Sequence, residues 1–251
     1  MTSPDFAVGK ASGLERLIKS DERVRDLGEV FTPLVTVHEM LDLLPDEMWV
    51  IHPSPTYLEP SCGDGNFLVG ILERKLGCVD ESADRDQRIL YGLEALSSIY
   101  GIDISRENVI GGTTGHEVGA RERMLSQFLS WASSRDNTVP QDPSSIRVCA
   151  NWIISHNVLL GNTLETDLRG KPTGRGQIPI MEYSWAPESE LLLVRRTFLG
   201  DIIQSSDESA QEMLWGAPEP EIHWQGHYLD LSSAPPVKNP FEEAVAQEGW
   251  S

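Results

Sequence analysis

The string Leu58-Glu59-Pro60-Ser61-Cys62-Gly63-Asp64-Gly65-Asn66-Phe67-Leu68 constrains the fold of this chain more than any other segment. Tyr57-Leu58-Glu59 reads as the end of a short buried strand. Asn66 to Leu76 reads as a helix with Phe67, Leu68, Ile71, Leu72 and Leu76 on its apolar positions. Between them lies a turn with two glycines. Glycine lets the backbone turn sharply and come close to a ligand with no Cβ in the way. The helix that follows presents unpaired N–H groups at its start, where an anionic or polar group is welcome.

The rest of the chain repeats this alternation. Gly13–Arg25 and Val35–Leu44 have the spacing of amphipathic helices, the second with Val37, Met40, Leu41 and Leu44 on one stripe. Helices are also expected over Gln87–Ser98, Arg106–Ile110 and Glu117–Ser133, and one ending in Asn151–His156. Strands are expected at Ile99–Asp103, Asn157–Leu160, Ile178–Tyr183 and Leu191–Thr197. Strands alternating with helices predict an α/β fold, a Rossmann-like, largely parallel sheet with helices on both faces. Ligands of such sheets sit at the carboxyl ends of the strands. The expected organisation is an N-terminal helical region over 1–54, a cofactor-binding domain over 55–204 and an acidic, Pro-rich peripheral tail over 205–251. Ile222–Leu231 is the one place in that tail where a further strand fits.

The string from Leu58 to Leu68 resembles the first nucleotide-binding motif of the adenine-N6 DNA methyltransferases, whose pattern is Pro-any-Cys-Gly-any-Gly followed by a small or polar residue and Phe-Leu. Three further segments resemble that family in order and spacing. Gly28-Glu29-Val30-Phe31-Thr32-Pro33 is similar to the motif that precedes the first strand. Tyr100-Gly101-Ile102-Asp103-Ile104 is similar to the second strand, and Val158-Leu159-Leu160-Gly161-Asn162 to the third. The resemblance implies S-adenosylmethionine as cofactor. Phe31, Thr32 and Pro33 would cover it. Glu59, Pro60, Cys62, Gly63 and Gly65 would surround its methionine part. Asp103 would hold the ribose hydroxyls, although an acid at a strand end also serves as a helix cap. Asn162 stands where the family has Asp, and its amide oxygen would meet the adenine amino group.

The same family ends its fourth strand in Asn or Asp, then Pro-Pro, then an aromatic residue, which together hold an extruded adenine. That tetrapeptide is not found here. The corresponding place reads Ile178-Pro179-Ile180-Met181-Glu182-Tyr183-Ser184-Trp185. Either Glu182 supplies a carboxylate and Tyr183 or Trp185 a stacking face, so that a variant catalytic site survives, or these residues pack the sheet end and the site is lost. Asn239-Pro240-Phe241 lacks a proline and follows no expected strand. His223 and His227 are four apart, but Gly226 and the lack of a third ligand argue against a metal.

Charge bears on the partner. The formal net charge is −19, whereas a protein that grips a phosphate backbone offers a basic surface. Nine acidic residues and one lysine lie between Ser205 and Ser251, so the tail carries −8 and the remainder still carries −11. Arg195, Arg196 and the Lys171–Arg175 loop are the best candidates for a local basic edge. The expected function is methyl transfer to adenine N6 of DNA, in a role such as restriction-modification. The alternative is a catalytically inactive, methyltransferase-like protein that binds the cofactor, a protein partner or both. No stretch is long and apolar enough to span a membrane. Three unrelated cysteines suggest neither a disulfide framework nor a zinc site, and fit a reduced, cytoplasmic setting.

Overall fold

The computed structural model describes residues 32–49, 55–82, 87–112, 118–135, 143–167, 169–206 and 220–248. The Gly13–Arg25 helix and Phe31 lie outside these residues. The described elements are α1 (Leu34–Leu41), β1 (Tyr57–Glu59), α2 (Asn66–Ser82), α3 (Arg88–Ser97), β2 (Ile99–Asp103), α4 (Arg106–Val109), α5 (Ala120–Arg135), α6 (Pro143–Asn157), β3 (Val158–Leu160), β4 (Pro179–Ala186), β5 (Leu191–Phe198), α7 (Leu199–Ser206), β6 (Glu221–His227) and α8 (Pro240–Glu248).

The strands form two sheets. β1, β2 and β3 are parallel and adjacent in chain order. Glu59 is in register with Gly101, and Asp103 with Leu160. Helices fill each crossover, as parallel pairs require. Ile99, Val158 and Leu160 join the main core with Leu68, Leu72, Leu93, Met124, Phe128 and Ile153 from the helices. Val37 and Leu41 of α1 complete this core. Both approach Gly70 of α2, so α1 is packed on the domain.

β4, β5 and β6 form an antiparallel sheet. This corrects the expected single, largely parallel sheet. The link from β4 to β5 is only Pro187–Glu190, with Glu190 in the left-handed region at φ 55. A parallel return needs a crossover of about a dozen residues or more, so so short a link dictates a hairpin. The face opposite the main core carries more than helices. Tyr100, Ile102 and Leu159, on one face, pack against Ile178, Ile180 and Leu199. The start of the antiparallel sheet and α7, through Leu199 and Ile202, therefore cover that face together.

The tail boundary also moves. Glu221–His227 pairs antiparallel with β5, while Tyr228 and Leu231 are buried in the main core. The Cys149 thiol donates to the Tyr228 carbonyl at 3.3 Å. The described part of the expected tail thus belongs to the folded body.

Candidate cofactor site

The parallel strands bring the carboxyl ends of β1, β2 and β3 to one edge, and the glycine turn lies across it. Cys62 N–H donates to the Ile102 carbonyl at 3.0 Å, and Gly63 N–H to the Asp103 carboxylate at 2.9 Å. Gly63 and Gly65 have φ of 54 and 92. At Gly65 a Cβ would meet the Ala120 Cβ at 2.8 Å, so the glycine is needed for space as well as for backbone angle. The Gly65 carbonyl accepts from Val69 N–H at 2.9 Å and opens α2.

Neighbouring elements hold the turn in place. Arg123 of α5 donates to the Asp64 carbonyl at 2.8 Å and lies 3.1 Å from the Asp64 carboxylate. It also donates to the side-chain oxygen of Asn66. The Asn66 amide donates to the Thr32 carbonyl at 2.8 Å, which ties Thr32-Pro33 to the start of α2. Thr163 of the loop after β3 donates to the Pro60 carbonyl at 3.0 Å. Thr32, Pro33, Glu59, Pro60, Gly63, Gly65, Asp103 and Asn162 therefore share one edge of the molecule.

Several of these groups are partly committed to the protein itself. Asp103 is 7% exposed and accepts from Gly63 N–H, from Ser105 N–H at 2.8 Å and from the Asn108 amide at 3.3 Å. Ser105, not Asp103, caps α4. A carboxylate has about four lone-pair directions, so Asp103 retains capacity for one ribose hydroxyl rather than a bidentate grip. The Asn162 side-chain oxygen accepts from Leu164 N–H at 3.0 Å. Glu59, half-buried, accepts from Ser61 N–H at 3.2 Å; burial, and then the Asp103 charge, push its carboxyl above the usual range. Cys62 is buried under Gly101, its thiol pushed well up by burial and by Asp103 and Glu59, so it offers backbone and packing rather than a reactive sulfur. Ile104, directly after Asp103, is 57% exposed and gives this edge an apolar surface that the sequence reading did not single out. An adenosine needs one hydroxyl acceptor, a close backbone and an apolar face for its base. The residues present fit that group.

Glu182, Tyr183 and Trp185 are not brought to this edge. Tyr183 OH donates to the Asn157 side-chain oxygen at 2.9 Å, and Trp185 Nε1 to the Ser97 hydroxyl at 2.9 Å. Ser97 precedes β2 and Asn157 precedes β3, so both aromatic residues dock on the amino edge of the parallel sheet. The length of β2, about 13 Å at ~3.3 Å per residue, lies between that edge and Asp103. Asn157 is 1% exposed and donates to the Ser97 and Ile99 carbonyls at 2.9 and 3.2 Å, so all three side chains join the two sheets. Burial pushes the Tyr183 hydroxyl far above its ordinary range. Glu182 stands opposite Arg195 across the hairpin.

The remaining motifs have structural partners. Asn239 precedes α8, its side-chain oxygen accepting from Phe241 N–H at 3.0 Å and its amide donating to the Leu160 carbonyl at 3.0 Å. Asn-Pro-Phe-Glu is thus a helix start with a capping Asn and Pro in the first turn. Within the expected basic edge, Arg175 pairs with Glu165 and Arg196 with Glu221. His223 bonds the Pro235 carbonyl at 2.8 Å and His227 faces Glu190 at 3.2 Å. Among the described residues no cluster of His, Cys, Asp and Glu is arranged to hold a metal, and no helix is long and apolar enough to cross a membrane. No family model matches the chain, no curated protein matches it and no solved structure matches it.

Proposed function

We propose that this chain binds S-adenosylmethionine at the carboxyl edge of its parallel sheet and serves methyl transfer to adenine N6 of DNA. The observation that supports this most is the coupling of the glycine turn to the second strand, in which Gly63 N–H donates to Asp103 at 2.9 Å. That bond holds a close-approach backbone and a ribose-facing carboxylate in one rigid unit before any ligand arrives, which lowers the ordering cost of binding. Glu59, Pro60 and the Gly63–Gly65 backbone would hold the methionine part. Asp103 would accept one ribose hydroxyl, and Ile104 would cover one face of the adenine. The cofactor, when bound, supplies an electrophilic methyl group. The protein's contribution is proximity and orientation.

A second reading is favoured by the placement of Tyr183 and Trp185 on the amino edge and by the net charge of −19. In it the chain holds the cofactor without an acceptor site of its own and works with a protein partner. Two measurements separate these readings. Isothermal titration with S-adenosylmethionine is expected to give saturable binding, weakened at least tenfold by Asp103→Ala; no binding would overturn both. Transfer of labelled methyl to unmodified DNA, followed by digestion to identify the base, supports the enzyme if label is found on adenine. Cofactor binding with no label in DNA supports the second reading.

A further inference from the structure

Beyond the outer edge of β3, where the two sheets meet, lies a cavity of about 230 Å³, lined by Arg121, His156, Leu159, Met181, Val237 and Glu242 among others. At ~30 Å³ per water it has room for about eight waters, enough for a bicyclic ring. Arg121 of α5 donates Nε to the Val158 carbonyl at 2.7 Å and Nη2 to the Glu242 carboxylate, so its charge is balanced where it stands. Among the described residues its Nη1 group keeps no protein partner. At the end of α6 the His156 ring stacks on Trp152, with centroids 3.9 Å apart, and its Nδ1 donates to the Trp152 carbonyl at 2.7 Å. That bond fixes the tautomer and leaves Nε2 as an acceptor. Burial above all holds the imidazole below its ordinary titration range, so it is neutral near pH 7.

The lining thus sums to no charge. It combines a donor on Arg121, acceptors on Glu242 and His156, and apolar contact from Leu159, Met181 and Val237. An anion would meet the Glu242 carboxylate and a cation the Arg121 guanidinium, and either would lose its hydration. A neutral flat ring with adjoining donor and acceptor groups satisfies all three polar groups at once. We propose that this cavity binds a neutral aminopurine base, its amino group on the Glu242 carboxylate and a ring nitrogen on the Arg121 guanidinium. None of the residues lining this cavity is among those at the cofactor edge, so the inference does not depend on cofactor binding.

The test is saturation-transfer NMR on the full chain with free adenine as probe. Saturable binding is expected, with the dissociation constant rising at least tenfold in Glu242→Gln and the signal lost in Val237→Trp, which fills the cavity. Saturating S-adenosylmethionine leaves adenine bound. A short deoxyadenosine-containing oligonucleotide forms the second arm: displacement of adenine assigns the site to a base within nucleic acid, and no displacement assigns it to the free base. Should Val237→Trp not fold, the His156 ring-nitrogen resonance of the unaltered protein is the second readout, and adenine is expected to shift it. Absence of saturable binding overturns the proposal, as does displacement of adenine by the cofactor or binding that neither variant alters.

Discussion

Gly65 and Gly63 look interchangeable in the sequence, yet they do different work. Both have positive φ, but a Cβ on Gly63 meets nothing within 4 Å, whereas on Gly65 it meets Ala120 at 2.8 Å. Gly63→Ala therefore carries only the backbone cost of the left-handed region, about 1 kcal/mol. Gly65→Ala adds overpacking against α5, for a total of about 3 kcal/mol. Urea unfolding of the two variants is expected to show this order, and equal losses would refute it. A second residue-scale effect lies at Glu94, whose carboxyl burial raises to about 7 despite the nearby Lys75 ammonium. The folded form of Glu94 holds its proton more tightly than the unfolded form. Its contribution is therefore fully present below the unfolded value and is lost as pH rises through about 7. Between pH 5 and 7 this amounts to a loss of about 1 kcal/mol once partial exposure is allowed for. Glu94→Gln is expected to remove that slope from the urea midpoints, and a slope that survives the change would place its origin elsewhere.

At the scale of elements, the parallel strands and their crossover helices were legible because each carries a local signal. β1, β2 and β3 end at residues 59, 103 and 160, as their apolar runs and glycines indicate. The arrangement of β4 was not legible from its own residues, because Tyr183 and Trp185 fit a stacking surface and a packing surface equally well. The deciding feature for its pairing was the brevity of Pro187–Glu190, which forces β4 and β5 into an antiparallel hairpin. The cofactor edge was readable as a turn motif. The internal use of Asp103 and Asn162 was not, since their partners Gly63, Ser105, Asn108 and Leu164 become neighbours only through loop geometry. The docking role of β4 makes its own prediction. Tyr183→Phe removes the hydroxyl from the Asn157 oxygen and leaves a buried acceptor unpaired, costing about 1–2 kcal/mol. Thermal unfolding is expected to report that loss while S-adenosylmethionine affinity stays within twofold. A large fall in affinity without loss of stability would return Tyr183 to the cofactor site.

For the molecule as a whole, the question is what completes the core on the face of the parallel sheet that its helices leave open. The antiparallel sheet does so together with α7, and it depends on chain that composition alone marks as a tail. β6 supplies the outer partner of β5 from Glu221 to His227, Tyr228 and Leu231 enter the main core, and the Asn239 amide donates to the Leu160 carbonyl at 3.0 Å on β3. Arg121 and Glu242 add an ion pair between α5 and α8. Acidity and proline content hid this because they describe the exposed positions, while the few apolar residues between 222 and 241 carry the packing. Cutting the chain after Ser206 would leave β5 with an unpaired edge, uncover the Cys149 side of α6 and remove the cap on the Leu160 carbonyl. Burying a large apolar side chain is worth about 1.5–3 kcal/mol, so losing Tyr228, Leu231 and β6 together approaches the whole stability of a typical domain. The shortened chain is expected to lose its single cooperative thermal transition and to bind a hydrophobic dye at 25 °C. If these residues were a peripheral tail, the same truncation would leave the transition midpoint unchanged, and circular dichroism melts of the two chains distinguish the outcomes directly.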